Sequence, residues 1–349
     1  MTEPSSRGLA IRIEGLYKIF GQSPERFVPQ VQAGMSKTEL IQSHGHILGL
    51  RDINLDIPAG CLQVVMGLSG SGKSTLIRHI NRLIEPTAGR LIIDGSNVLD
   101  LDEKQLIAFR RKNTAMVFQK FGLLPHRTVL QNAMYGLELQ RVAPARRVDV
   151  AMHWLKRVGL EGFEAKYPNE LSGGMQQRVG LARALCVDAP ILLMDEAFSA
   201  LDPLIRVEMQ DVLLEIQREV RKTIIFITHD LDEALKLGDR IAVLRDGELV
   251  QQGTSEEIVL TPANDYIRRF VQEVNRGRVV RVDAAMTAGG GASNGVAVNR
   301  DDMLQDAARK IAASGADAAD VVDGNGVVIG RVSLNRIVSV MIPNMQEAG

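Results

Sequence analysis

Gly67-Leu68-Ser69-Gly70-Ser71-Gly72-Lys73-Ser74-Thr75, set directly after the apolar run Leu62 to Met66, carries the chemistry of a phosphate cradle. Its glycines let backbone N–H groups converge on phosphate oxygens, Lys73 supplies positive charge, and the Ser74 hydroxyl can join the shell of a Mg2+ ion. Leu76, Ile77 and Ile80 follow at helical spacing, so the loop delivers phosphates to a helix N-terminus, where unpaired N–H groups favour an anion. Nucleoside triphosphate binding is the expectation, with Ser69, Gly70, Ser71, Gly72, Lys73, Ser74 and Thr75 as contacts. A second apolar run, Ile191 to Met194, ends in Asp195-Glu196. In a magnesium-dependent triphosphatase one such carboxylate serves the metal and the next faces the attacking water. Leu171-Ser172-Gly173-Gly174-Met175-Gln176 opens another helix, with Ser172 as N-cap and Met175, Val179, Ala182 and Cys186 at helical spacing. Its paired glycines leave the first N–H groups open to a ligand.

These groups need a scaffold that brings loop ends together. Ala10 to Ile13, Leu62 to Met66, Thr114 to Phe118, Ile191 to Met194, Thr223 to Thr228 and Ile241 to Leu244 are short, apolar and rich in Val, Ile and Leu, and read as strands. Several are continuous rather than alternating, as in a sheet covered on both faces. Helices over Ser74 to Leu83 and Pro203 to Val220 lie between them, the latter with Ile205, Met209, Val212, Leu213 and Ile216 on one stripe. The fold class is α/β, largely parallel, with the ligand at the carboxyl ends of the strands. Asp246-Gly247 marks a closing hairpin. Strand periodicity lapses between Phe20 and Ile53 around a short helix at Lys37 to Gln42, which reads as an insertion of about residues 21–50 rather than core.

With 349 residues, 45% of them hydrophobic, the chain exceeds what one core usually serves. A formal net charge of -1 gives no global reason to bind nucleic acid. The basic cluster Arg110-Arg111-Lys112 reads as a solvated helix face, and Cys61 and Cys186 as buried small hydrophobes. No apolar stretch is long enough to span a bilayer and the first residues lack a secretory pattern, so a cytoplasmic location is expected.

Leu-Ser-Gly-Gly-x-Gln at 171–176 with Arg178 behind it resembles the signature of ATP-binding cassette (ABC) proteins. Other cassette elements occur in order: Gln119 after Val117-Phe118 resembles the glutamine loop, Ser199-Ala200-Leu201-Asp202 the D-loop, and His229 the switch histidine. The resemblance covers roughly Ile11 to Val274 and implies a P-loop NTPase of the ABC ATPase type. Its nucleotide-binding domain would span 1–277, with a helical subdomain at about 120–180. Two copies would pack head to tail, with Ser172, Gly173, Gly174, Gln176 and Asp202 of one closing over ATP held by the other. Glu196, His229 and Gln119 take the catalytic positions, and Ser74, Gln119 and Asp195 those around Mg2+. Phe20 takes the place of the adenine-stacking aromatic, with Tyr17 nearby. Segments such as Asn81-Arg82-Leu83-Ile84-Glu85-Pro86-Thr87 and Pro262-Ala263-Asn264-Asp265-Tyr266 resemble the ATPase subunits of bacterial importers for glycine betaine, choline or proline.

That resemblance implies three partners: a second copy, a transmembrane permease met by Phe121 to Glu138, and indirectly an extracytoplasmic substrate-binding protein. It places the subunit on the cytoplasmic face of the inner membrane. Residues 278–349, with Gly289-Gly290-Gly291 and an alanine-rich tract, resemble a small α+β domain with a single CBS motif, suited to regulation or to pairing across the dimer. Cassette ATPases of DNA repair carry a long coiled coil or two cassettes in one chain, and neither pattern occurs here. A nonhydrolytic binding module would not need Glu196 and His229.

Overall fold

A computed structural model describes residues 8–119, 121–289 and 295–342. By internal packing the chain separates into two units, Met1–Gln252 and Gly253–Gly349. In the first unit, β1 (Ile11–Phe20) leads through α1 (Val28–Gln32) and α2 (Lys37–His44) into β2 (Ile47–Ile57). Next come β3 (Leu62–Met66), α3 (Lys73–Ile80), β4 (Ala88–Ile93), β5 (Ser96–Asn97), α4 (Glu103–Asn113) and β6 (Thr114–Val117). Three helices follow, α5 (Val129–Leu139), α6 (Pro144–Arg157) and α7 (Gly173–Cys186). Then β7 (Ile191–Asp195), α8 (Pro203–Val220), β8 (Thr223–Thr228), α9 (Leu231–Leu237), β9 (Arg240–Arg245) and β10 (Glu248–Gly253) complete the layers.

The central sheet has the order β10-β9-β3-β8-β7-β6, parallel from β9 to β6. Every residue of β3, β7 and β8 is buried, as their unbroken apolar runs require of strands covered on both faces. The phosphate loop leaves the end of β3, Asp195-Glu196 the end of β7 and His229 the end of β8. Parallel pairing therefore puts all three on one edge. Asp246 and Gly247 both take positive φ, 55° and 89°, and turn β9 into β10.

Three sequence expectations change. The strand begun at Ala10 is not in the parallel sheet: β1 runs on to Phe20 and pairs antiparallel with β2 and β4 in a separate sheet, β2-β1-β4-β5. Its alternation, with Ile11 and Ile13 buried and Arg12 exposed, is the signature of an antiparallel strand covered on one face. The segment 21–50 also has a core of its own, in which Val28, Val31 and Leu40 pack on Tyr17, Ile19 and Leu48. A capping box between Ser36 and Glu39 starts α2, and β2 already begins at Ile47. Arg110 likewise turns inward from the basic cluster, donating to the carbonyls of Asn81 and Arg82 at 2.9 and 2.5 Å.

In the second unit, α10 (Ser255–Leu260) and α11 (Asp265–Phe270) precede β11 (Thr287–Ala288), β12 (Ala297–Asn299), α12 (Leu304–Ser314), β13 (Ala318–Val322), β14 (Val328–Ser333) and α13 (Leu334–Met341). A boundary at 277/278 would assign α10 and α11 to the first unit, whereas they pack with the second. The sheet order is β11-β14-β13-β12, with β12 and β13 parallel across α12 and β13 and β14 antiparallel. Val298, Leu304, Ile311, Val321 and Ile337 form its core. The Gly290 and Gly291 of the glycine run lie outside the described residues.

Both cysteines are buried and unpaired, and burial pushes the Cys61 and Cys186 thiols up to about 11 and about 12. No helix among the described residues is long and apolar enough to cross a membrane. His79 on α3 is fully buried, its Nδ1 donating to the Thr75 carbonyl at 2.5 Å while Nε2 has no hydrogen-bond partner among the described residues. Burial pushes its pKa down to about 4, below the 6.5 of a solvated imidazole. The folded chain thus resists a proton that the unfolded chain accepts. Stability is complete above pH 6.5 and falls as pH drops toward 4, by about 3 kcal/mol at most from this group. Urea midpoints measured from pH 7.5 to 4.5 should show that loss, and His79→Gln, which keeps a donor for Thr75, should flatten it.

Candidate functional site

The phosphate loop is built against its neighbours too closely for side chains. At Gly67, with φ 149°, a β-carbon would lie 2.2 Å from the Leu244 carbonyl oxygen; at Gly72, with φ 99°, one would lie 2.7 Å from Leu50 Cδ2 and 2.9 Å from the Gly49 oxygen. Leu68, Ser69 and Gly70 form the exposed tip, and Ser74 and Thr75 open α3. Lys73, only 4% exposed, folds back so that Nζ donates to the carbonyls of Gly67 at 2.8 Å and Leu68 at 3.0 Å. Burial pulls its ammonium below the usual lysine range, and Glu196 and then Asp195 pull it back up. The buried Ser71 Oγ has no hydrogen-bond partner among the described residues. A buried hydroxyl left without a partner in a phosphate loop is a donor available to an incoming acceptor.

Across the loop stand the two carboxylates. Asp195 Oδ1 accepts from the Ser74 hydroxyl at 2.8 Å, and its Oδ2 accepts from Arg78 at 3.3 Å. Glu196 sits at φ 47°, a left-handed conformation uncommon for a non-glycine residue, which turns its side chain away from the strand direction. Its Oε2 accepts from Gln119 Nε2 at 3.0 Å, and its Oε1 lies 3.9 Å from Lys73 Nζ and 3.8 Å from His229 Nδ1. Gln119, Lys73, Ser74, Asp195, Glu196 and His229, drawn from four separate stretches of chain, therefore meet within one small volume. Ser74 and Asp195 offer a hydroxyl and a carboxylate side by side, and Gln119 adds an amide. That all-oxygen donor set suits a hard divalent cation such as Mg2+.

Ser172, Gly173, Gly174, Gln176 and Asp202 have other surroundings. The Ser172 hydroxyl accepts from Met175 N at 3.3 Å as the cap of α7, and Gln176 Nε2 donates to the Leu171 carbonyl at 3.3 Å. Gly174 lies against Ile205 and Gly173 near Phe121. Asp202 caps α8 by accepting from Ile205 N at 3.1 Å. Phe20 is 38% exposed at the end of β1, with Lys18 Nζ 5.0 Å from its ring centre, whereas Tyr17 is 7% exposed within the core of the 21–50 segment. Of the two aromatics, only Phe20 offers a surface to a ligand.

Two contributors were missed in the sequence. Arg78 holds Asp195, and its position four residues after Ser74 on one helix face was the available signal. Arg183 of α7 donates to the carbonyls of Gly122 at 2.6 Å and Phe121 at 3.1 Å, tying the signature helix to the loop after Gln119. No local pattern marks that contact.

A glycine-rich loop between strand and helix, with a lysine over its own carbonyls and acids at the end of the next strand but one, defines a P-loop nucleoside triphosphatase. The family model for ABC transporters matches residues 50–199. The chain is 54% identical over 272 residues to the glycine betaine transport ATP-binding protein OpuAA of Bacillus subtilis, covering 78% of this chain and 65% of that one. It is 52% identical to the glycine betaine/proline betaine protein ProV of Escherichia coli, covering 78% of this chain and 68% of that one. The trimethylamine N-oxide transport protein TmoW of Ruegeria pomeroyi is 44% identical over 95% of this chain and 97% of its own. Among solved structures, the dimeric post-hydrolysis state of the cassette MJ0796 bound to ADP and Pi superposes with a TM-score of 0.60 at 33% identity, covering 70% of this chain and 98% of that one. The chain belongs to the ABC transporter family, among the transport ATP-binding proteins of the glycine betaine group.

Proposed function

We propose that this chain is the ATP-hydrolysing subunit of an importer for quaternary amines and related osmoprotectants, working as two copies beneath a partner permease. The observation that carries the reading is the meeting of Glu196 with Lys73, Gln119 and His229 at the strand ends. Lys73 and the loop amides would receive the β- and γ-phosphates in place of the carbonyls of Gly67 and Leu68. Ser74 and Asp195, with Gln119 beside them, would hold Mg2+, which when bound neutralises charge on the phosphate oxygens. Glu196 orients and deprotonates the attacking water, and His229 stabilises the γ-phosphate. Phe20 stacks on adenine. Ser172, Gly173, Gly174, Gln176 and Asp202 act from the second copy, a reading supported by their separate surroundings within one chain and by the dimeric state of MJ0796. The segment Phe121 to Glu138, anchored by Arg183, meets the permease, and the subunit lies on the cytoplasmic face of the inner membrane. A substrate-binding protein outside the membrane supplies the permease. We assign no nucleic-acid partner.

For the second unit, the order strand, helix, strand, strand, helix from β12 to α13 supports a single CBS-like motif. It pairs with its counterpart in the other copy.

Glycine betaine, choline and proline are the first substrate candidates. A specific observation also favours trimethylamine N-oxide: the match to TmoW runs nearly end to end over both chains, tail included, while that to OpuAA covers 65% of its length. The test is ATP-driven uptake by the subunit reconstituted with its co-purifying permease and binding protein. At least one of these compounds should be accumulated and should raise phosphate release. If no candidate does either, the importer reading fails.

A further inference from the structure

The segment between β1 and β2 is wired to the phosphate loop through one arginine. From β2, Arg51 donates through a terminal guanidinium nitrogen to the Met35 carbonyl, which belongs to the turn between α1 and α2. Its other terminal nitrogen lies 3.1 Å from Glu248 Oε1 on β10. The Arg51 amide donates to the Gly247 carbonyl at 2.8 Å, and the Gly247 amide donates to the Ser71 carbonyl of the phosphate loop at 3.1 Å. A continuous path therefore joins Met35 to Ser71.

Two residues earlier on β2, Gly49 is the meeting point of the base and phosphate ends. A β-carbon there would stand 2.7 Å from Phe20 Cε2. The Gly49 oxygen is 2.9 Å from where a β-carbon of Gly72 would be and 2.7 Å from that of Gly247. The backbone at Gly49 thus touches Phe20, the phosphate loop and the β9–β10 turn together. Whatever fixes this part of β2 also fixes the distance between the aromatic and the phosphate loop.

Resting on the ATPase reading above, we propose that Arg51 is a positioning residue for ATP, by which the 21–50 segment holds Phe20 and the phosphate loop at the separation the nucleotide needs. Without its guanidinium, the start of β2 and the α1–α2 turn lose their common anchor, and ATP must order them as it binds. Gln119, Glu196 and His229 follow the ends of β6, β7 and β8 and are not part of this path. The cost therefore falls on binding rather than on chemistry.

The experiment measures phosphate release by the full-length chain against ATP concentration for Arg51→Met, Arg51→Lys and Glu248→Gln, with melting temperature alongside. Arg51→Met should raise KM for ATP about tenfold with kcat within twofold, since tenfold corresponds to the ordering of one or two side chains. Arg51→Lys keeps a donor for Met35 and should recover most of the affinity, and Glu248→Gln should raise KM about threefold. If Arg51→Met fails to fold, Glu248→Gln decides the matter by its threefold rise in KM. A lowered melting temperature with unchanged KM reduces Arg51 to a structural brace and overturns the proposal. A folded wild-type chain that turns over no ATP overturns both this assignment and the ATPase reading beneath it.

Discussion

Glu196→Gln is expected to leave ATP binding intact while phosphate release falls by about 10² to 10⁴-fold, the range over which a positioned general base acts. The expectation rests on geometry. Glu196 lies at the strand end with φ 47°, held by Gln119 at 3.0 Å and flanked by Lys73 and His229 at 3.9 and 3.8 Å. Glutamine has the same shape and retains a carbonyl oxygen to accept from Gln119, so the pocket survives. What it loses is the negative charge that draws a proton from water. Equilibrium dialysis with ATP and a phosphate-release assay on the same preparation separate the two steps. Hydrolysis within a few-fold of wild type would remove Glu196 from the mechanism. Weakened binding with normal turnover would make it a binding residue.

The second large effect is on affinity. Lys73→Met should weaken ATP binding by about 10²-fold, as expected for removing a charge-assisted hydrogen bond to an anion at a buried position. The Lys73 ammonium donates to the carbonyls of Gly67 and Leu68, so the loop curls back over its own lysine. Exchange of those carbonyls for phosphate oxygens is then an exchange of acceptors. Because burial disfavours the charged form of Lys73, methionine relieves a desolvation cost and should leave the melting temperature unchanged or slightly higher. Lost affinity in a fully folded protein is the distinguishing result. A variant that binds ATP as tightly as wild type would show that the loop amides alone hold the triphosphate.

These two tests reach residues that local spacing already marked. Asp195 and Glu196 close one unbroken apolar run and the loop that carries Lys73 and Ser74 follows another, and such runs are legible because a strand covered on both faces has no choice but to be apolar throughout. The helices α3 and α8 were legible for a similar reason, their apolar residues recurring on one face. Harder to see were contacts whose partners are far apart in the chain. Arg78 acts on Asp195 across 117 positions and Arg183 on Phe121 across 62. Arg183 has no mark in the sequence, and Arg78 only its place four residues after Ser74.

Residues 21–50 show the limit most plainly. Prolines and glycines there interrupt the pattern of alternation, and the stretch reads as an addition to the core. In three dimensions Val28, Val31 and Leu40 close over Tyr17 and Ile19, and Arg51 binds the turn to the rest of the first unit. Small clusters of this kind depend on a few side chains brought together by turns, and no period in the sequence records them.

Residue type and spacing alone determined that this chain handles a nucleoside triphosphate: a loop of glycines ending in Lys73-Ser74 can do little else, because its chemistry is local to nine consecutive residues. Tertiary structure alone decided which distant groups share that site, that Phe20 rather than Tyr17 faces outward, and that the 21–50 segment supports the phosphate loop. Those outcomes follow from which strands pair and which side chains are buried, and both depend on long-range packing that a local pattern cannot encode.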